Sequence, residues 1–407
     1  MRWKVFLSCT CLSLSLAQPA RADVITDWNS TAIAVARAAG DPVILRTLAM
    51  VHIAMFDAVN SAGPRFHSYA VQLPGGGASP EAAAAAAAHG ILIRRFPSQQ
   101  ATLDVALTAS LASVADGSAE DTGRLLGDAV AAAIHQLRVG DGMFPPNNPP
   151  YVPGTGPGAY QLTSGVPVNT GAAAWKPFAM TSASQFRPNG PPSLHTTTYA
   201  RDLEEVRQLG TSVAALRTPE QDLIALWQIE MGQFQLWRIA REAVLASSFD
   251  LLTSARLFAL LSIAMVDGQI GVFEAKYHYN FWRPLTAIRA ADTDGNDETA
   301  ADPLWSPFLP TPPHPEYPSA HLAISTAGVT VLEKFLGQHY AFDAREDVPQ
   351  IPGVQVRRFP DLQAMIEDMG LARIYGGMHF RTAVEEGARQ GKKIGKWVLE
   401  NILLPLQ

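Results

Sequence analysis

The sequence predicts an all-α protein built as two helical bundles joined by long Pro/Gly-rich loops, and three observations carry that prediction. Apolar residues recur at three-and-four spacing, as in Leu48, Val51, His52, Met55, Phe56 and Val59, and again in Leu223, Leu226, Trp227, Met231, Phe234 and Trp237. No stretch alternates convincingly in the period of a strand. Between Asp141 and Tyr160, ten of twenty residues are proline or glycine, which excludes helix and marks a soft boundary.

The elements follow in chain order. Residues 1–22 read as an export signal: Arg2 and Lys4 precede an apolar run from Val5 to Leu16, and Ala20-Arg21-Ala22 offers a small-residue cleavage site. The run is too short to span a bilayer, so the mature chain is expected to begin near Asp23 and to work in the periplasm or the medium. Cys9 and Cys11 both fall inside this segment, which leaves the exported chain without disulfides or thiolate chemistry. Losing Arg2, Lys4 and Arg21 deepens the net charge from −6 to −9. That balance argues against a nucleic-acid partner and makes any local cluster of cations more informative.

Residues 23–140 are expected to form an N-terminal bundle of about five helices, in which the alanine run Ala82–Ala88 packs closely against a neighbour. Residues 141–194 form the Pro/Gly-rich connection, and residues 195–407 a C-terminal bundle that carries the chemistry. The most apolar stretch of that bundle, Leu251 to Phe273, is interrupted by Arg256 and Asp267, so it does not read as a membrane span. Asp292, Asp294 and Asn296 have the spacing of a calcium loop, but Asp297 and Pro303 stand where glycine and glutamate are required, so a solvated acidic turn is expected. The lysines of "GKKIGKW" read as a solvated helix face. His52, on an apolar face, reads as a packing residue, and His278 is left without a role.

Three short stretches carry the chemistry. In "KYHYNFWRP", Lys276 and Arg283 stand close to two helical turns apart, which predicts that they share one side of a helix with Asn280 between them. In "PSAH", proline and serine open an apolar-periodic helix, so the free amides near Ser319 and Ala320 make a seat for an anion, with His321 at its rim as a proton-exchanging group. In "RIYGGMH", Gly376-Gly377 break the periodicity and a helix restarts near His379, where the helix dipole favours the neutral imidazole that a ligand or nucleophile must be. Arg373 can fold back across the break. Three cations, a hydroxyl, amides and two histidines suit an oxyanion with three equatorial oxygens and one axial partner, as in phosphoryl transfer to histidine or vanadate bound by histidine.

In order and spacing, these three stretches resemble the signature of the vanadium-dependent haloperoxidase and phosphatidic acid phosphatase type 2 superfamily. The upstream segments "MVHIAMFDAVN" and "WKPFAMTSASQFRP" are similar to its bacterial haloperoxidase-like branch. The resemblance implies an all-α fold of two four-helix bundles. It implies that Lys276, Arg283 and Arg373 hold the equatorial oxygens of vanadate (or of phosphate in the same site), with Ser319 and the amide of Ala320 adding hydrogen bonds. His379 would be the axial ligand to the metal and His321 the acid/base. The implied partners are hydrogen peroxide and a halide, or a phosphate ester.

Two readings follow, and one departure weighs between them. Ala383 stands four residues after His379, where phosphatases of the superfamily commonly carry an aspartate that orients the nucleophilic imidazole, and Glu386 is a doubtful substitute. Its absence favours a vanadate-dependent haloperoxidase over an exported acid phosphatase-type phosphomonoesterase with His379 as nucleophile. A third reading is an exported anion-binding protein that keeps the site without turnover. Alanine in PSAH replaces the commoner glycine and narrows the seat slightly. His314 occupies a position that is often aromatic in resembling chloroperoxidases and often histidine in bromoperoxidases, so it is a halide-site candidate that tilts the expectation toward bromide; equally, it fills a proline-rich loop.

Overall fold

The computed structural model describes residues 23–213, 217–345, 354 and 356–407. Residues 1–22, expected above to be an export signal and containing Cys9 and Cys11, lie outside the described residues. The architecture is all-α: α1 (Val24–Ala38), α2 (Ile44–Ala62), α3 (Pro80–Arg95), α4 (Gln100–Leu111) and α5 (Ser118–Leu137) precede the connecting segment. After it come α6 (Thr197–Leu209), α7 (Pro219–Trp227), α8 (Gly232–Ala246), α9 (Leu251–Tyr279), α10 (Pro284–Arg289), α11 (Ala320–Leu336), α12 (Leu362–Tyr375) and α13 (Arg381–Asn401). One departure is a small antiparallel ribbon of β1 (Phe342–Arg345) and β2 (Val356–Phe359), with Phe342 opposite Phe359. Each strand has only four residues, too few for a two-residue period to stand out from the surrounding pattern.

Local chemistry sets where the helices begin. Asp23, Ser79, Asp250 and Asp361 accept from first-turn amides of α1, α3, α9 and α12, and Thr218 with Gln221 forms a reciprocal capping box on α7. The axis of the molecule is α9, 29 residues long and apolar enough to cross a membrane, yet its apolar window is wholly buried within this protein. It packs against α2 on one side and against α11 and α13 on another, so one continuous core runs from Ile25 to Val398.

Two helix pairs approach closely because small residues let them. A Cβ on Gly127 of α5 would lie 2.3 Å from the Ala83 carbonyl oxygen of α3, which is the close neighbour expected for the alanine run. On α13, Gly387, Gly391 and Gly395 recur every fourth residue, and a Cβ at any of them would strike α11 backbone, at 2.5 Å from Ser319 O, 2.3 Å from Ala323 O and 2.7 Å from Ala327 O. This seam fixes α11, which carries the PSAH stretch, against the helix that follows His379.

Buried polar side chains tie the irregular connection to the bundles. Asp267 of α9 accepts the backbone amides of Phe178, Ala179 and Met180 at 2.7, 2.7 and 2.8 Å, which explains a carboxylate in the middle of an apolar helix. Asp141 accepts from both Arg46 Nε at 2.7 Å and Arg138 Nε at 3.0 Å. His52 is a core residue: its ring bridges Asn29 and Ser262 beside Phe258, and burial lowers its pKa from 6.5 to about 3. In the acidic turn, the Asp294 carboxylate accepts from the Thr299 hydroxyl and the Asn296 amide. Among the described residues, no group of three His, Cys, Asp or Glu side chains could hold a metal ion.

Candidate functional site

The opening stretch reaches the site by a bend, and the expectation of one shared helical face is corrected here. α9 ends at Tyr279, and Asn280 takes the left-handed conformation at φ +51°, a conformation asparagine tolerates better than most residues. Lys276 therefore sits in the last turn of α9, whereas Arg283 lies on the returning chain just before Pro284 opens α10. The connecting segment clamps the bend. Tyr160 N donates to Asn280 O at 2.8 Å, Tyr151 Oη donates to Asn280 Oδ1 at 2.6 Å, and Trp282 N donates to Gly158 O at 2.9 Å.

Both cations then grip the loop ahead of α11. Lys276 Nζ donates to the carbonyls of Pro315 and Glu316, each at 2.8 Å. Arg283 donates to His314 O and Met378 O at 2.8 Å, to His314 Nδ1 at 2.9 Å, and to His379 Nε2 at 3.2 Å. Both side chains are fully buried. Burial drives the ammonium of Lys276 well below its usual pKa, with the Arg283 charge adding to the effect, and brings Arg283 down to about 10.

Ser319 is the N-cap of α11, and of its two expected donors only the hydroxyl is free. Its amide donates to Ala383 O at 2.9 Å, while its hydroxyl is buried with no partner. The Ala320 amide makes no hydrogen bond. His321, on the first turn of α11, accepts at Nδ1 from Arg373 Nη1 at 3.3 Å, leaving Nε2 buried and unpartnered; Arg373 Nε is likewise unpartnered. Desolvation, then the Arg373 charge, holds His321 neutral.

His379 precedes α13, which Asp202 caps from a distance by accepting from Thr382 N at 3.0 Å. Its Nδ1 lies 2.9 Å from Glu316 Oε1, which also accepts from Phe380 N at 2.9 Å. A carboxylate on Nδ1 fixes the tautomer, so Nε2 carries the lone pair that faces Arg283. Burial first, and then Arg283 and Lys276, push His379 well below the usual imidazole pKa, whereas burial raises Glu316 to about 7.

Glu316 is the residue sequence reasoning missed, and it changes an argument. Ala383 supplies no carboxylate, and Glu386 pairs with Arg389 at 2.8 Å, yet His379 has its orienting carboxylate from the other side. The only signal was an acid two residues after His314 in a proline-rich run. The absence of aspartate at position 383 therefore does not separate the two enzymatic readings.

The site opens on a cavity of about 610 Å³. His314, Ala320, His321, Arg373 and His379 line it, together with Pro42–Leu45, Phe273 and Met378. Pro146, Asn148, Val168 and Asn169 bring the connecting segment to its wall. Lys276, Arg283 and Ser319 stand behind that lining, held by the 314–316 carbonyls or by packing. Donors dominate what is left unpaired: the Ser319 hydroxyl, the Ala320 amide, Arg373 Nε and His321 Nε2. A buried set of donors around one imidazole lone pair fits an oxyanion such as vanadate or phosphate.

Fold and site thus define an all-α protein in which unpartnered donors and a carboxylate-oriented histidine share one cavity. Residues 256–405 match the family described as the VCPO second helical-bundle domain. Over 91 residues, 20% of this chain, the sequence is 34% identical to the vanadium chloroperoxidase of Curvularia inaequalis, and the aligned stretch spans 14% of that protein. Among solved structures, a bacterial vanadium-dependent iodoperoxidase has the same fold, with a TM-score of 0.78 and 23% identity covering 95% of this chain and 97% of that one. A holo-type bacterial vanadium-dependent chloroperoxidase gives 0.70 and 20% identity, over 88% of this chain and 91% of that one. The match over residues 256–405 and the relative's shared stretch support the vanadium-dependent haloperoxidase and phosphatidic acid phosphatase type 2 superfamily for this chain.

Proposed function

We propose that the protein is a vanadate-dependent haloperoxidase, which oxidises a halide, bromide in preference to chloride, with hydrogen peroxide to a hypohalous species. The observation that supports this reading is a carboxylate-oriented His379 whose Nε2 meets Arg283, which feels the charges of Lys276 and Arg373, and which shares one cavity with Ala320, His321 and Arg373. Vanadate bound there supplies a Lewis acid that activates hydrogen peroxide without changing oxidation state.

The chain's own residues do the rest. Lys276, Arg283 and Arg373 offset negative charge on the bound oxyanion, and the Ser319 hydroxyl and Ala320 amide donate hydrogen bonds to it. His379 would hold the group through Nε2, which now accepts from Arg283, while Glu316 holds the Nδ1 proton. His321 exchanges the proton; when an oxyanion engages Arg373, Nδ1 is released and the ring can change tautomer. His314 accepts from Arg283 and stands edge-on to Phe273 at 5.0 Å between ring centres; what favours bromide over chloride is the resemblance, since bromoperoxidases often carry histidine at this position. The test is halide-dependent oxidation by hydrogen peroxide after incubation with orthovanadate, with bromide and chloride in parallel. Absence of vanadate-stimulated turnover rejects the activity, and faster turnover of chloride rejects the halide preference.

The Glu316–His379 pair also supports a second reading, a phosphomonoesterase with His379 as nucleophile and His321 as acid. Hydrolysis of a chromogenic phosphate ester, inhibited by vanadate, would establish it. Export through residues 1–22 completes the proposal, and N-terminal sequencing of the secreted protein checks it.

A further inference from the structure

Beside the oxyanion pocket, the same cavity holds a second set of unpartnered polar groups that the chemistry above does not use. α8 begins at Gly232 with no side-chain cap from Met231, and the amides of Gly232 and Gln233, both lining the cavity, have no hydrogen-bond partner among the described residues. Facing this helix start is Ser325, one turn beyond His321 on α11. Its hydroxyl is buried, 1% exposed and unpartnered. It lies so close that a Cβ on Gly232 would come within 2.1 Å of Ser325 Oγ. Gln269 of α9 completes the wall with an unpartnered side-chain oxygen, and its amide can turn either end inward. Glu230, two residues before the helix start, is neutralised by Arg238 at 3.0 Å and by Arg37 at 3.6 Å, and Asp41, the acid that lines the same cavity, is paired with Arg95.

Two free amides at the positive end of a 15-residue helix, with a hydroxyl donor opposite, favour a small anion over water. Apolar neighbours Ile229, Met231 and Ile324 favour one that sheds its hydration easily. We infer that the N-terminus of α8, with the Ser325 hydroxyl, is the halide seat, holding bromide or iodide one helical turn from His321 in the cavity that His379 and Arg373 also line. The inference rests on the haloperoxidase reading for its biological meaning, but not for its measurement.

The experiment uses the folded chain saturated with phosphate, which fills the oxyanion pocket, and reads the 81Br line width of added bromide. Wild type is expected to broaden the line. Ser325→Ala should remove most of that broadening. Ser325→Asp should abolish it, because a carboxylate there caps α8 and repels the anion. In the vanadate-loaded enzyme, Ser325→Ala should raise the bromide KM by about tenfold or more with kcat within about twofold, as expected for one hydrogen bond to a charged ligand. Unchanged line width and unchanged KM in both variants, with melting temperatures near wild type, would overturn the seat while leaving the haloperoxidase reading intact. Loss of broadening in both variants, in a protein without vanadate-stimulated turnover, would keep the anion seat and reject the haloperoxidase reading.

Discussion

Replacing Glu316 by glutamine sets two effects against each other, and the structure says how to separate them. Above about pH 7, where Glu316 is ionised, removing its buried negative charge makes the pocket more attractive to any oxyanion. At roughly 7 Å across the imidazole and an effective dielectric near 20, that gain is about 2 kcal/mol. The same change weakens the hydrogen bond that Glu316 Oε1 accepts from His379 at 2.9 Å, lowering the basicity of Nε2. Loss of such an outer partner costs on the order of 10–100-fold in metal affinity. Phosphate is held by charge and hydrogen bonds alone, whereas vanadate also gains a bond to Nε2. Phosphate should therefore bind Glu316→Gln as tightly as wild type or tighter, while the ratio of vanadate to phosphate affinity falls about 10–100-fold. Equilibrium dialysis for phosphate and 51V line widths for vanadate measure the two, and Glu316→Asp, which keeps the charge but shortens the reach, should fall between. An unchanged ratio in a folded variant would refute the claim that this carboxylate tunes His379.

Three further predictions follow from the fold around the pocket. Gly391→Ala places a Cβ 2.3 Å from Ala323 O, forcing α11 and α13 apart; it should destabilise by about 1–3 kcal/mol or more and weaken vanadate binding, while the exposed Lys393→Ala does neither in a paired melting and binding measurement. Asn280→Val forces a β-branched residue into φ +51° and removes the Tyr151 bond, so melting temperature and vanadate affinity should fall together, whereas Asn280→Gly should retain most of both. For pH, His52 titrates near 6.5 unfolded and about 3 folded. The unfolded chain thus takes up the proton first, and stability drains as pH falls through that window by up to about 1.4 kcal/mol per unit. Asp57 and Asp267, raised by burial to about 6, act with the opposite sign between about pH 6 and 4, and two carboxyls outweigh one imidazole there, so the His52 loss stands alone only just below pH 6.5 and again below about pH 4. Urea midpoints across pH check the sign: between about pH 6 and 3, His52→Gln should shift the slope of stability against pH by about one proton, removing a loss on acidification.

What could be read from the sequence was what repeats or what is spaced along one element. Helical periodicity gave the all-α architecture, and the order of Lys276, Arg283, Ser319, His321, Arg373 and His379 gave the candidate site, because each stands at a helix end or a break that leaves a local mark. Relations between elements left no such mark. The hydroxyl of Ser319 is free because its amide reaches Ala383 across the α11–α13 seam, and the carboxylate on His379 comes from 63 positions upstream rather than four downstream. Reading along α13 alone, Ala383 meant a missing carboxylate; in space, Glu316 supplies it, and its own backbone carbonyl also receives Lys276. One residue therefore couples the ammonium to the imidazole, so substitutions at Lys276 and Glu316 should not act independently. In a double-mutant cycle of Lys276→Met and Glu316→Gln, the oxyanion affinities should deviate from additivity by about 0.5 kcal/mol or more; strict additivity would mean that the loop holding both residues transmits nothing between them.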